Sequence, residues 1–356
     1  MRLIRNRYFG VDRCIPFNGI QVEKMPRKNR VVAVTGATGF VGRHFVERIL
    51  QETGISVRCV VRDSSDVAGL EHLDDDIEVV HADVTRPDTL EDAFADVWGV
   101  VNLAGYREFW SKRREHFYDV NQVGAGNVFR ACLARGVEKV VQVSTPLAFG
   151  RPDEQPFDEM SAPGAHPSDY ARSKFLGDEE GWCLHQEEDL PLTVVHLAAV
   201  IGAGDDKATM EVKRAVDGKL PALVGADTTY TYLYVRDAAD AIARALLNPD
   251  TVGQRYLIGN QRATTREYFS IIGRIAGVPV PSRNIPESWL MPVARCMEAA
   301  SRVTGIRPVV PLDVLKTTAA GSLLFDASRS VDELGMTYTS LSTALSESVE
   351  EIRSAA

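Results

Sequence analysis

The β-branched run Val31 to Val34 leads directly into TGATGFVG at 35–42. That loop opens a stretch in which Phe45, Val46, Ile49 and Leu50 recur at helical spacing. Strand, glycine loop and helix in immediate succession are the context that a dinucleotide-binding fingerprint requires, and without that context such glycines are merely structural. Here Gly36 allows the tight turn, Gly39 lets the backbone approach a pyrophosphate, and Gly42 lets the helix pack closely on the strand, with Thr38, Phe40 and Val41 completing the loop. A pyrophosphate on this loop meets the positive end of the helix dipole.

Short β-branched runs go on alternating with amphipathic stretches, the pattern of a parallel sheet with crossover helices. The runs at 31–35, 56–61, 77–81, 99–103, 138–144 and 192–197 read as strands, with a late one at 254–258. Leu90, Phe94 and Val97 mark the buried face of a second helix. The expectation is an α/β chain with a doubly wound parallel sheet. Regularity lapses at 151–167, where prolines, a glycine and acids read as a loop. Further on, Thr264 and Glu267 form a capping-box signature, and Leu341, Leu345, Val349 and Ile352 mark a terminal amphipathic helix. We therefore expect a nucleotide-binding domain over 30–200. Residues 201–356 should form a smaller, mostly helical substrate lobe, interleaved with late sheet elements. Residues 1–29, basic and lacking an apolar signal core, are given no fold role. Asp74, Asp75 and Asp76 read as a solvated turn.

Charge and cysteine usage exclude several function classes. A formal charge of -9, with no strongly basic patch beyond the first thirty residues, argues against nucleic-acid binding. No stretch approaches the roughly 20 apolar residues of a membrane-spanning helix. Five scattered cysteines and seven histidines without HxH or HxxxH spacing make a metal site unexpected, and suit a reducing cytoplasm. The expected partner is a small-molecule substrate.

Where the second strand ends, Arg62 is followed by Asp63. A guanidinium there pairs with a 2′-phosphate and favours NADP. In the alternative, Arg62 is a solvated strand-end charge, Asp63 takes the ribose, and the cofactor is NAD.

The set TGATGFVG, Asp83-Val84, NLAG at 102–105, STPLAFG at 144–150 and YARSK at 170–174 resembles the extended short-chain dehydrogenase/reductase superfamily, that is, the NAD-dependent epimerase/dehydratase family. The likeness runs from residue 31 to the C-terminus. GYREFW followed by NQVGAGN is most similar to the dihydroflavonol-reductase and 3β-hydroxysteroid-dehydrogenase branch. The resemblance implies a Rossmann fold, an adenine beside Asp83 and Val84, and a nicotinamide-side ribose beside Leu103, Ala104 and Gly105. A homodimer through two helices is common in the superfamily.

Tyr170 and Lys174, four apart, share a helix face. A phenol titrates near 10, and a neighbouring ammonium would lower it towards neutrality, so that Tyr170 exchanges a proton with a substrate oxygen. Thr145 falls four residues before Phe149, which stands where the family has a tyrosine, and so takes the catalytic hydroxyl position; Ser144 replaces it if the register slips by one. Asn121 matches the helix asparagine that positions a proton-relaying water, although Ala125 stands where the family usually has threonine. Tyr106, Phe109 and Trp110 either line an apolar substrate pocket or belong to the core. His196 replaces an arginine usual in nucleotide-sugar enzymes and reads as a core histidine. The leading expectation is an NADP-dependent oxidoreductase acting on a cyclic, fairly apolar ketone or alcohol. The alternative is a nucleotide-sugar epimerase or dehydratase with tightly held NAD, and the third reading is a non-catalytic nucleotide sensor.

Overall fold

The computed structural model describes residues 30–73, 77–205 and 212–354, so the basic extension 1–29 and the Asp74–Asp76 turn lie outside the described residues. Strands β1 (Arg30–Thr35), β2 (Ile55–Val61), β3 (Ile77–His81), β4 (Gly99–Asn102), β5 (Lys139–Ser144) and β6 (Leu192–Leu197) match the six early runs to within a residue at either end. The late strand at Gln254–Ile258 joins the same seven-stranded sheet. With β7 to β9 of the second lobe numbered between, it is β10, and the order is β10-β6-β5-β4-β1-β2-β3. Every pairing in that sheet is parallel. The strands read as continuous apolar runs because helices cover both faces.

On one face, α1 (Phe40–Ile49) packs Phe45, Val46 and Ile49 against Ala238, Ile242 and Leu246 of the helix Val235–Leu247. On the other, Val128, Phe129 and Cys132 of α2 (Ala125–Ala134) meet Leu90, Phe94 and Val97. The helix expected over the last three residues is only Leu90–Ala93. Phe94 and Val97 are buried, but on the turn into β4, where Asp96 adopts φ +57°. The long helix α3 (Asp169–Glu188) is capped by Ser168, whose hydroxyl accepts from the Ala171 N–H at 3.2 Å.

Strand order reverses between β1 and β4, which both leave the sheet at their C-terminal ends beside each other. Crevices for ligands form at such switch points. The second lobe contains more strand than expected. A three-stranded sheet joins β7 (Ala199–Ile201), β9 (Thr229–Tyr234) and β11 (Gln261–Thr264), and a short pair joins β8 (Leu223–Val224) to β12 (Asn284–Ile285). The capping box at Thr264 and Glu267 is formed and starts the helix Thr265–Ala276. That helix buries Phe269 and Ile272 with Leu345, Val349 and Ile352 of the terminal helix Leu341–Ser354. Among the described residues no helix is long and apolar enough to cross a membrane.

Candidate active site

A cavity of about 1180 Å³ opens at the switch point, lined at one end by the glycine loop and at the other by the second lobe. Gly36 adopts φ +70°, and a Cβ there would sit 2.7 Å from the Leu103 backbone. A Cβ on Gly42 would lie 2.1 Å from the Gly36 carbonyl, so only glycine lets α1 approach the loop. Gly39 is the N-cap of α1, with no side-chain cap and no acid in the first turn, which leaves that helix terminus ready for an anion. Thr38, Phe40 and Val41 line the same wall.

Thr35, just ahead of the loop, ties it to β4. Its hydroxyl donates to Asn102 Oδ1 at 2.6 Å and accepts from the Ala104 N–H at 3.2 Å. Leu103, Ala104 and Gly105 are thereby held along the cavity wall. Asp83 and Val84 also line it. Asp83 Oδ1 is taken by the Thr85 N–H and hydroxyl, and the Val84 carbonyl accepts from Asn127 Nδ2 at 2.8 Å. At the outer end, Arg62 and Ser65 line the cavity, whereas Asp63 is not among its lining residues and pairs with His81 at 3.1 Å.

Tyr170, Lys174 and Thr145 come together on the inner wall. Lys174 is buried and donates from Nζ to the Val143 carbonyl at 2.8 Å. Burial lowers its pKa, with the Asp178 carboxylate one turn along opposing. Burial pushes the Tyr170 phenol up to about 12; the Arg107 guanidinium opposes this and Asp178 adds to it. The depression expected from the neighbouring ammonium is therefore absent from this geometry: desolvation dominates, and the ammonium is turned to a carbonyl.

Ser144 and Thr145 have different surroundings. Ser144 donates to Asp178 Oδ2 in a buried contact, which commits its proton. Thr145 starts the turn Pro146–Phe149, its hydroxyl accepting from the Leu147 N–H at 3.4 Å and keeping its own proton to donate. Behind them, the Asn102 amide donates to Gln142 Oε1 at 2.7 Å, and Gln142 in turn supports Asp178. A buried polar chain thus joins the glycine loop to the catalytic-helix candidate. His196, also buried, lies 3.2 Å from the Thr145 carbonyl through Nδ1, while its Nε2 has no partner among the described residues.

Two site candidates lie off the cavity wall. The Asn121 side chain is not on the cavity wall: it clamps Tyr106, accepting from its N–H at 2.7 Å and donating to its carbonyl at 3.1 Å and to Ser173 Oγ at 2.9 Å. With its side-chain atoms so engaged, it holds the segment carrying Tyr106. Trp110 does not line the cavity either; its carbonyl accepts from the Tyr106 hydroxyl at 3.4 Å. Tyr106 and Phe109 do line it, and the Phe109 ring lies edge-on to Tyr170 with centroids 6.1 Å apart.

Half-buried Tyr170 and buried Lys174 line one cavity with the glycine loop at the switch point, and the family model described as NAD dependent epimerase/dehydratase family matches residues 32–259. The chain belongs to this family. It is 30% identical over 326 residues to a putative dihydroflavonol 4-reductase of Synechocystis sp., covering 89% of this chain and 92% of the relative. It is 26% identical to sterol demethylase protein B of Methylococcus capsulatus, over 90% of this chain and 97% of that one. The crystal structure of gox2253 superposes with a TM-score of 0.78 at 31% identity, covering 92% and 99% of the two chains. As a member of this family the chain is an enzyme of the NAD-dependent, oxidoreductase-like kind. Sequence motifs did not reveal Arg107, Arg151, Gln142 or the wall residues Thr317, Gly321, Leu323 and Phe325. Asp178 alone had a signal, its spacing of four from Lys174 on one helix face.

Proposed function

We propose that the protein interconverts a ketone and a secondary alcohol on a cyclic, fairly apolar substrate, with NADP as its cofactor. The observation carrying this reading is that Tyr170, Thr145 and Lys174 share one cavity with the glycine loop. The loop fits a dinucleotide: the Gly42 position has no room for a Cβ, and the terminus of α1 is uncapped. Gly36 to Gly42 would hold the pyrophosphate, Asp83 and Val84 the adenine, and Leu103 to Gly105 the inner ribose. Arg62 on the wall, with Asp63 drawn off to His81, favours a 2′-phosphate and hence NADP. When bound, the cofactor supplies or accepts the hydride.

The chain's own groups handle the proton. A phenol held near 12 keeps its proton at neutral pH, so Tyr170 is poised as the donor to a carbonyl oxygen, the reductive direction. Thr145 hydrogen-bonds the same oxygen and orients it. Lys174 lines the same cavity, and its ammonium would have to turn from the Val143 carbonyl to support the phenolate left behind. Asn121 fixes the 104–106 segment that forms the opposite wall. Phe109, Leu147, Leu323 and Phe325 make much of the substrate end apolar, and the relative named for sterol demethylation supports a cyclic apolar substrate.

The test is oxidation of NADPH and NADH, side by side, on a panel of ketones, hydroxysteroids and nucleotide sugars. Turnover with NADPH and an apolar ketone is expected. Protein purified with bound NAD and turning over only nucleotide sugars, without external cofactor, is an epimerase or dehydratase. Tyr170→Phe should cut turnover by about 10²-fold or more while NADPH binding persists, and unchanged activity would refute the mechanism.

A further inference from the structure

One cation on the substrate wall has no anion opposite it among the described residues. Arg151, half-buried, lines the same cavity as Tyr170 and Thr145. Its Nη1 donates to the Ser322 carbonyl, its one hydrogen bond among the described residues, and no described carboxylate lies within ion-pair distance. The other cavity-lining arginines differ: Arg62 stands at the nucleotide end, and Arg107 pairs with Asp205 at 3.5 Å. The Tyr230 phenol acts on Arg151, and Leu147, Leu323 and Phe325 give the same cavity apolar wall.

The backbone is built to place this side chain. Gly150, just before it, adopts φ +63°, and a Cβ there would sit 2.4 Å from the Gly164 carbonyl, which fixes the turn from which Arg151 emerges. Against the guanidinium, Gly321 adopts φ +84°, and a Cβ there would stand 3.0 Å from Arg151 Nη2, so glycine gives the guanidinium its room. Withdrawing a guanidinium from water costs free energy that an anion must offset. None of the described acidic residues provides one here, which leaves that part to the ligand.

We infer that Arg151 receives an oxyanion of the substrate, a carboxylate on an otherwise apolar molecule whose carbonyl or hydroxyl group reaches Tyr170. The inference rests on the oxidoreductase reading for the position of the reacting group. A planar guanidinium with N–H groups to spare matches a carboxylate in two parallel hydrogen bonds. A nucleoside diphosphate would bring two charged phosphates to this single unpaired cation, so the carboxylate is favoured.

The test is calorimetric binding to the NADP-loaded protein of decanoate and deoxycholate, of their methyl esters, and of UDP. At least one acid should bind tenfold or more tighter than its ester. Arg151→Gln should weaken that acid by about ten- to hundredfold and leave NADP affinity and the melting temperature unchanged; Arg151→Lys should retain part of it. Equal binding of acids and esters, no binding of either acid, or an acid affinity unmoved by Arg151→Gln overturns the inference. So does Arg151→Gln weakening UDP in place of the acids, which assigns the site to a diphosphate. Because binding is read, failure of NADPH turnover would sink the oxidoreductase reading without touching this result.

Discussion

Asp178 shows how burial sets chemistry at a single residue. Desolvation pushes its carboxyl up to about 6 from 3.8, against the pull of Lys174, Ser144, Arg255 and Gln142. An acid whose folded pKa is raised binds its proton more tightly folded than unfolded. Its contribution to stability is therefore present below about pH 4 and is lost as the pH rises through about 6. Asp178→Asn mimics the protonated form and escapes that loss. The difference in unfolding free energy, variant minus parent, should grow between pH 4 and 6 by on the order of 3 kcal/mol and then level off, at about 1.4 kcal/mol per pH unit. His196, lowered by burial to about 3, acts in the opposite sense, its contribution being lost as the pH falls from 6.5. It remains in both proteins, so to first order its titration cancels in the difference, although its Nδ1 lies 3.9 Å from Asp178 Oδ2. Urea unfolding at pH 4.5, 5.5 and 7 reads it, and a difference that stays flat across these three would mean that the carboxylate is better solvated than its burial implies.

At the scale of elements, sequence pattern was most informative where one physical cause acts alone. Strands buried on both faces must be apolar throughout, and the inner strands β1, β4, β5 and β6 are legible to within a residue for that reason. Phe94 and Val97 keep helical spacing and so predict a full helix after Leu90, yet the chain turns at Asp96 to enter β4. The strands β7, β9 and β11 were hidden because tertiary pairing, not local pattern, makes them. The loop from β1 into α1 was the clearest element of all, since its glycines answer to steric limits. Gly42→Ala puts a methyl group 2.1 Å from the Gly36 carbonyl, so α1 must move off the loop. A lower melting temperature and at least tenfold weaker NADPH binding by fluorescence titration are expected. A variant that binds NADPH like its parent would show the helix approach to be dispensable.

For the whole molecule, the active site depends on how the second lobe closes over the sheet, and this was least legible because its contacts join residues far apart in the chain. Tyr170 and Lys174 could be read from one helix, but the wall opposite comes from residues beyond 310, which carry no motif. Phe325 is the pivot. It is 2% exposed, its ring lies 5.9 Å from Phe157, and the two segments exchange backbone hydrogen bonds through Phe157, Leu324 and Asp326. The Phe325 carbonyl also accepts from Arg262 of β11. This clasp binds the irregular loop before α3 to the lobe while Phe325 still reaches the cavity, so packing and substrate shape share one side chain. Phe325→Ala should cost about 3–5 kcal/mol of stability, measured by urea unfolding. It should also raise KM for the substrate several-fold, while NADPH affinity, set some distance away at Gly36 to Gly42, holds. If NADPH binding falls in step with KM, the lobe and the glycine loop move as one body and the division of labour drawn between them fails; if neither moves, the clasp serves stability alone.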